Sequence, residues 1–103
     1  MLVAFSVAPS GAAEDAGMSE AVAEAVRVVR ESGLPHETTS MFTTVEGEWD
    51  EVMDVVRRAT EAVSQRAPRT SLVLKADIRP GRDNQLEEKV RSVQRHLDEN
   101  PGE

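Results

Sequence analysis

The side chains with the greatest chemical potential in this sequence are a few carboxylates and hydroxyls. Glu46 and Glu48 flank Gly47, and Asp77 stands in a run of alternating polar and apolar residues. Two carboxylates act together as general acid and base only if the fold holds them close and one is buried with a raised pKa. The simpler interpretation is that Gly47 ends a strand and Glu48 begins a helix, so a catalytic pair is the weaker hypothesis.

Other patterns of catalytic and metal-binding chemistry are missing from the sequence. There is no cysteine, and neither of the two histidines, His36 and His96, has a neighbour in sequence that would orient it as a base. No glycine-rich phosphate loop, His-x-x-x-His pair or aspartate-rich metal loop is present. We therefore expect a protein that is not an enzyme and has no cofactor or metal ion.

The composition of the chain argues against several classes of binding partner. The chain of 103 residues has a formal net charge of -7, and its acidic and basic residues are interspersed, so it lacks the basic surface that nucleic acids require. The apolar run at the N-terminus stops at Pro9 and is too short for a signal peptide or a membrane span. We expect one domain over residues 1–103 in the cytoplasm, with neither nucleic acid nor membrane as a partner.

The elements that position these side chains follow a regular order. Strands are predicted at 2–8, in the segments HETTS and MFTTVEG, and at 70–79; helices are predicted from an N-cap at Ser19 to a stop at Gly33, and at 48–65 and 86–97. The order predicts an α+β, ferredoxin-like βαββαβ fold: an antiparallel four-stranded sheet with two helices on one face, plus an extra C-terminal helix. That last helix carries a narrow apolar seam, which a second subunit would bury: Leu86, Val90, Val93 and Leu97.

The sheet face opposite the two helices is predicted to be mixed in character. Outward residues are small, hydroxyl-bearing, charged or apolar: Ala4, Ser6 and Ala8; Met41, Thr43 and Val45; Val73, Lys75 and Asp77. Phe42 is placed inward. Asp77 is most simply neutralised by its neighbours Lys75 and Arg79. Such a surface suits a subunit interface that holds a small pocket, and an interface without a ligand is an equally good interpretation.

Four blocks of the sequence resemble the small thiamine-binding, YkoF-like family of ferredoxin-like proteins. They cover nearly the whole chain and read FSVAPSG, SEAVAEAV with GLP after it, MFTTVEGEWDEVM, and LKADIR followed by LEEKVRSV. The third block is the most specific, because the family typically has a Pro-Met-Gly-Thr-like run, then Glu-Gly and an acidic helix start. Met41, Thr43 and residues 46–48 match this pattern, whereas Ser40 replaces the usual proline and Phe42 the usual glycine.

The resemblance implies a homodimer or homotetramer that binds thiamine or its hydroxymethylpyrimidine moiety without catalysis. We place the pocket on the open sheet face near a subunit interface. Its candidate residues would supply hydrogen-bond acceptors, hydroxyls and an apolar surface for an aminopyrimidine: Ser6, Met41, Thr43, Thr44, Glu46, Trp49 and Asp77. The alternative is an oligomeric structural or regulatory interaction protein with no small-molecule ligand.

Overall fold

Four strands and three helices follow one another in the predicted order. A computed structural model of the chain describes residues 1–10, 15–80 and 85–99. The elements are β1 (Leu2–Ser10), α1 (Asp15–Glu31), β2 (His36–Thr38), β3 (Thr43–Glu46), α2 (Trp49–Ser64), β4 (Arg69–Asp77) and α3 (Gln85–Glu99). The strands form one antiparallel sheet in the order β2-β3-β1-β4. This arrangement confirms the α+β, ferredoxin-like prediction.

The central strand β1 has neighbours of unequal length. It pairs with β4 along its whole length, from Leu2 opposite Asp77 to Ser10 opposite Arg69. On its other side it pairs with β3 only as far as Phe5, which lies opposite Thr43. Residues 6–10 of β1 therefore have a strand neighbour on one side only, and the edge they leave becomes the wall of a cleft.

The core lies between the sheet and the helices α1 and α2. Val3, Phe5 and Val45 are buried from the sheet side. The 3.6-residue helical period predicts five core positions in α2, and all five are buried: Val52, Val55, Val56, Ala59 and Val63. These buried side chains form one continuous apolar cluster with the buried residues of α1.

The buried stripe of α1 differs from the one that the apolar spacing of the sequence predicts, which consists of Val22, Ala25, Val26 and Val29. Ala21, Ala25 and Val29 are buried, whereas Val22 is exposed and Val26 only half-buried. The helix begins at Asp15, so Ser19 lies within it and is not its N-cap. Because alanine side chains are short, Ala21 and Ala25 allow α1 to pack closely against its neighbours, and Val22 and Val26 turn towards the edge of the interface.

The helix boundaries at the ends of α1 and α2 follow local signals in the sequence. Gly33 has a φ of +76°, in the left-handed region that favours glycine, and α1 ends just before it at Glu31. Glu48 is the N-cap of α2, and its backbone N–H donates a hydrogen bond to Glu51 Oε1 at 3.1 Å. Glu48 therefore begins a helix, as the simpler interpretation of the Glu46-Gly47-Glu48 run predicted.

The prediction of which β3 side chains point to the open face of the sheet is wrong. Val45 was expected on the open face but is fully buried opposite Val3, because directly opposed residues of antiparallel strands point to the same side. Thr43 likewise lies opposite Phe5 on the helix side. The open face instead receives Thr44, opposite Ala4, and Glu46, opposite Leu2.

A turn before β3 explains this inversion. The backbone N–H of Thr39 donates to the carbonyl of Phe42 at 2.9 Å, and the N–H of Phe42 donates to Thr39 Oγ1 at 3.2 Å. Phe42 therefore belongs to the turn, and it is 37% exposed instead of lying in the core. The strand β3 begins only after this turn, at Thr43. The prediction counted Phe42 as an inward-facing strand residue, and an error of one residue in the alternation reverses the face of every side chain in a strand.

Exchanging valine and threonine at adjacent positions of β3 tests this register. We expect Val45→Thr to lower the free energy of unfolding by about 1–3 kcal/mol, because it buries a hydroxyl among apolar side chains. The matched reverse exchange on the open face, Thr44→Val, should change it by less than about 0.5 kcal/mol. Urea unfolding followed by circular dichroism measures both. A larger loss for Thr44→Val than for Val45→Thr would contradict the register.

Candidate functional site

One cleft lies at the sheet edge that β3 leaves uncovered. It is bounded by residues 5–8 of β1, by the α1 side chains Val22 and Val26, and by residues 38–43. We call it the edge cleft, and its volume is about 230 Å³. Because residues 6–8 of β1 lie opposite no residue of β3, their backbone groups on that side face the cleft without a strand partner.

Hydroxyls and apolar side chains share the lining of the edge cleft. The Oγ1 atoms of Thr38 and Thr43 lie 3.4 Å apart. Thr39 is occupied by the turn, since its Oγ1 also donates to the Phe42 carbonyl at 3.1 Å. Ser6 and Ser40 make no hydrogen bond with their side chains in the described part of the chain. Free hydroxyls beside an apolar wall can bind a flat, polar ring.

A second cleft lies on the open face of the sheet, beneath α3. Its volume is about 380 Å³, and we call it the α3 cleft. The lining combines short or apolar residues of the sheet with three charged side chains: Leu2, Ala4, Thr44, Ala76 and Ile78, together with Lys75, Asp77 and Lys89. The alternation of residues 70–79 predicts that Ile78 faces the helices. In the structure it lies beyond the end of β4 and lines this cleft instead.

The seven candidate residues are thus divided between different places. Ser6, Met41 and Thr43 line the edge cleft, together with Phe42. Thr44 and Asp77 line the α3 cleft, and Glu46 lies beside it on the same face. Trp49 stands at the exposed start of α2, is 55% exposed and lines neither cleft. The sequence thus predicted one pocket for seven side chains that the tertiary structure places in different parts of the molecule.

Asp77 is held by ion pairs, as its simplest interpretation predicted, but its main partner is a different residue. Lys89 of α3 donates a hydrogen bond to its carboxylate, and Arg79 Nε lies 4.0 Å away. The hydrogen bond from Lys89, together with the positive charges of Lys89, Arg79 and Lys75, lowers the pKa of Asp77 against a partial opposing effect of desolvation. No local sequence signal links Asp77 to Lys89, because the contact depends on where α3 docks.

Glu46 anchors α3 to the sheet. Its side chain is buried, with 7% of its surface exposed, and it accepts hydrogen bonds from the backbone N–H groups of Gln85 at 2.6 Å and Leu86 at 3.4 Å. The first N–H groups of a helix have no partner within the helix, and a carboxylate there also complements the helix dipole. Glu46 and Glu48 thus have separate structural roles at the starts of α3 and α2.

Two further features of the described residues bear on function. No group of three or more histidine, aspartate and glutamate side chains among them is arranged to hold a metal ion. None of the helices they form combines the length and the apolar character needed to cross a membrane.

Comparisons with known proteins agree with the fold and point to one family. A family model described as thiamine-binding protein matches residues 3–94. UPF0045 protein Mb1933 of Mycobacterium bovis is 56% identical over 98 residues, which is 94% of each chain.

Solved structures share the fold, and two of them are similar in sequence as well. A domain of unknown function from Bacillus cereus has a TM-score of 0.77 and 34% identity, covering 86% of this chain and 85% of that one. A Thermotoga maritima protein, described as a candidate for thiamine biosynthesis or salvage, has a TM-score of 0.76 and 33% identity, covering 89% and 96% of the two chains.

Substituting Glu46 tests the attachment of α3. We expect Glu46→Gln to lower the free energy of unfolding by about 1–2 kcal/mol, because a neutral amide replaces the charged carboxylate and has one acceptor oxygen instead of two. Glu37→Gln is the matched control, since Glu37 lies exposed on β2 and the change should be within about 0.5 kcal/mol. Urea unfolding gives both values, and equal effects of the two substitutions would contradict the anchoring role.

Proposed function

Because the chain belongs to the thiamine-binding protein family, we propose that it binds thiamine or the hydroxymethylpyrimidine part of thiamine, without catalysing a reaction. The observation that carries this proposal is the edge cleft. Its lining contains Met41 and Thr43, from the segment most typical of the family, together with Ser6, whose hydroxyl makes no hydrogen bond within the described part of the chain. The cleft lies at the edge of the sheet, not in the middle of the open face.

The chemistry of the edge cleft suits an aminopyrimidine. Such a ring has nitrogens that accept hydrogen bonds and an amino group that donates them, and hydroxyls such as those of Ser6 and Ser40 can do both. Val22 and Val26 offer apolar surface to the face of the ring. Asp77 has no part in this proposal, because its carboxylate is held by Lys89 in the other cleft.

The size of the edge cleft favours the single ring over the whole of thiamine. Its volume of about 230 Å³ is below the range of about 300–1,000 Å³ that holds drug-sized ligands. We therefore place the pyrimidine inside and the thiazolium outside, beside Met41 and the exposed ring of Phe42. An aromatic ring attracts a cation through its face, so Phe42 would contribute to binding thiamine but not to binding the neutral pyrimidine. The net charge of -7 also favours a cationic ligand.

Titration calorimetry with hydroxymethylpyrimidine and with thiamine tests this assignment. We expect saturable binding of both ligands, and Ser6→Ala should weaken both about threefold to tenfold through the loss of one hydrogen bond. Phe42→Leu should weaken thiamine about twofold to fivefold and leave hydroxymethylpyrimidine unchanged.

The control is Ser71→Ala, since Ser71 lies on the same sheet face as Ser6, on the neighbouring strand β4, and lines neither cleft. It should leave the affinity for both ligands unchanged. No heat with either ligand would refute the proposed function, and equal effects of Ser6→Ala and Ser71→Ala would refute the proposed site.

The alternative function, an oligomeric interaction protein with no small-molecule ligand, is supported by the exposed seam of α3. Val90, Val93 and Leu97 are 64%, 60% and 60% exposed along one face of that helix. Apolar side chains clustered on one helix face are characteristic of association surfaces. We propose that this seam joins the chain into a homodimer or homotetramer. Such an assembly is compatible with the ligand-binding function and with the purely structural one.

Light scattering coupled to size-exclusion chromatography tests the seam. We expect Val93→Glu to reduce the oligomer to monomer, because it places a charge in the apolar contact. Gln94→Glu adds the same charge at the adjacent position, away from the seam, and should leave the mass unchanged. A monomeric wild-type chain would contradict the assembly. An oligomer whose melting temperature neither thiamine nor hydroxymethylpyrimidine raises would favour the alternative function.

A further inference from the structure

The α3 cleft has the features of a second binding site, distinct from the edge cleft. Its floor is apolar where Leu2 and Ala4 cross the centre of the sheet. Ala4 lies in one row between Thr44 of β3 and Lys75 of β4. Because the alanine is shorter than both neighbours, the row is deepest at its middle. The volume of about 380 Å³ falls within the range of about 300–1,000 Å³ typical of small-molecule sites.

The charges around the α3 cleft are unbalanced. Lys75, Asp77 and Lys89 line it, so two positive charges face one negative charge. Asp77 forms its hydrogen bond with Lys89. Lys75 attracts Asp77 through its charge from a longer distance, and it makes no hydrogen bond and no ion pair within 4.0 Å among the described residues. Among the lining residues of the cleft, positive charges therefore outnumber negative ones, in a protein whose formal net charge is -7.

The other carboxylates of the open face do not compensate Lys75. Glu46 is buried against the first N–H groups of α3. Glu37 lies opposite Thr44, at the far end of the row that contains Ala4 and Lys75. Three strand spacings separate Glu37 from Lys75, which is about 14 Å and too far for an ion pair. The ammonium group of Lys75 is thus available to an anion that enters the cleft.

We propose that the α3 cleft binds a small molecule with an apolar body and a single anionic group. The apolar body lies on Leu2 and Ala4 beneath α3, and the anionic group faces Lys75. Charge complementarity and the apolar floor select this class: a cation would meet Lys75 and the already paired Asp77, and a fully polar anion would gain nothing from the floor. The ligand differs in charge from the one assigned to the edge cleft.

Two isosteric probes test the proposal: 2-naphthoate, which has a carboxylate on a flat apolar body, and the neutral 2-naphthamide. We expect calorimetry to show 2-naphthoate binding about fivefold more tightly than 2-naphthamide, the upper end for a partly exposed ion pair. Lys75→Gln should remove this difference by weakening 2-naphthoate alone. Ala4→Leu should abolish the binding of both probes by filling the floor.

Arg69→Gln is the matched control for Lys75→Gln. Arg69 lies at the far end of β4, on the same sheet face, outside the α3 cleft, and the substitution removes the same charge. It should preserve the fivefold preference. Circular dichroism melts verify that each variant is folded, and if Ala4→Leu fails to fold, the comparison of Lys75→Gln with Arg69→Gln still decides the outcome.

Four results would overturn the proposal. These are no saturable binding of 2-naphthoate, equal affinity for the two probes in the wild-type chain, equal effects of Lys75→Gln and Arg69→Gln, and loss of the probe in Ser6→Ala but not in Lys75→Gln. The last result would place the probe in the edge cleft. Binding of hydroxymethylpyrimidine should be the same in Lys75→Gln as in wild type, so failure of one site is distinguishable from failure of the other.

Discussion

The register in which β3 pairs with the first half of β1 is the constraint on which the rest of the structure depends. It places Val45 in the core opposite Val3 and sends Glu46 to the open face. Because the pairing stops at Phe5, the second half of β1 keeps an uncovered edge. A short strand in one register thus fills the core, positions the anchor of α3 and creates the edge cleft.

The attachment of α3 shows how polar contacts can leave an apolar face free. The helix is joined to the sheet by the carboxylate of Glu46 at its first N–H groups and by the pair between Lys89 and Asp77. Val90 and Val93 are not used in this contact and remain exposed. A charged acceptor at a helix start provides both hydrogen bonding and favourable interaction with the dipole, so few apolar contacts are needed to orient the helix.

The two clefts differ in chemistry because they form at different parts of one sheet. The edge cleft combines hydroxyls, apolar side chains and free backbone groups, and none of its lining residues is charged. The α3 cleft has an apolar floor surrounded by two lysines and one aspartate. Phe42 gives the edge cleft an aromatic rim. A neutral, hydroxyl-lined site suits an aminopyrimidine, and a positively charged one suits an anion.

Local sequence patterns determined the order of the elements, the buried stripe of α2 and the end of α1 before Gly33, because periodicity and backbone preference act over a few neighbouring residues. Three of the seven candidate residues named from the sequence, Ser6, Met41 and Thr43, line one cleft. Local patterns could not determine the faces of β3, since consecutive β-branched residues suit either face and pairing with β1 selects one. Only the tertiary structure decided which distant groups meet, such as Glu46 with the start of α3 and Asp77 with Lys89. Contacts between residues far apart in sequence depend on how whole elements dock, and no short stretch of sequence contains that information.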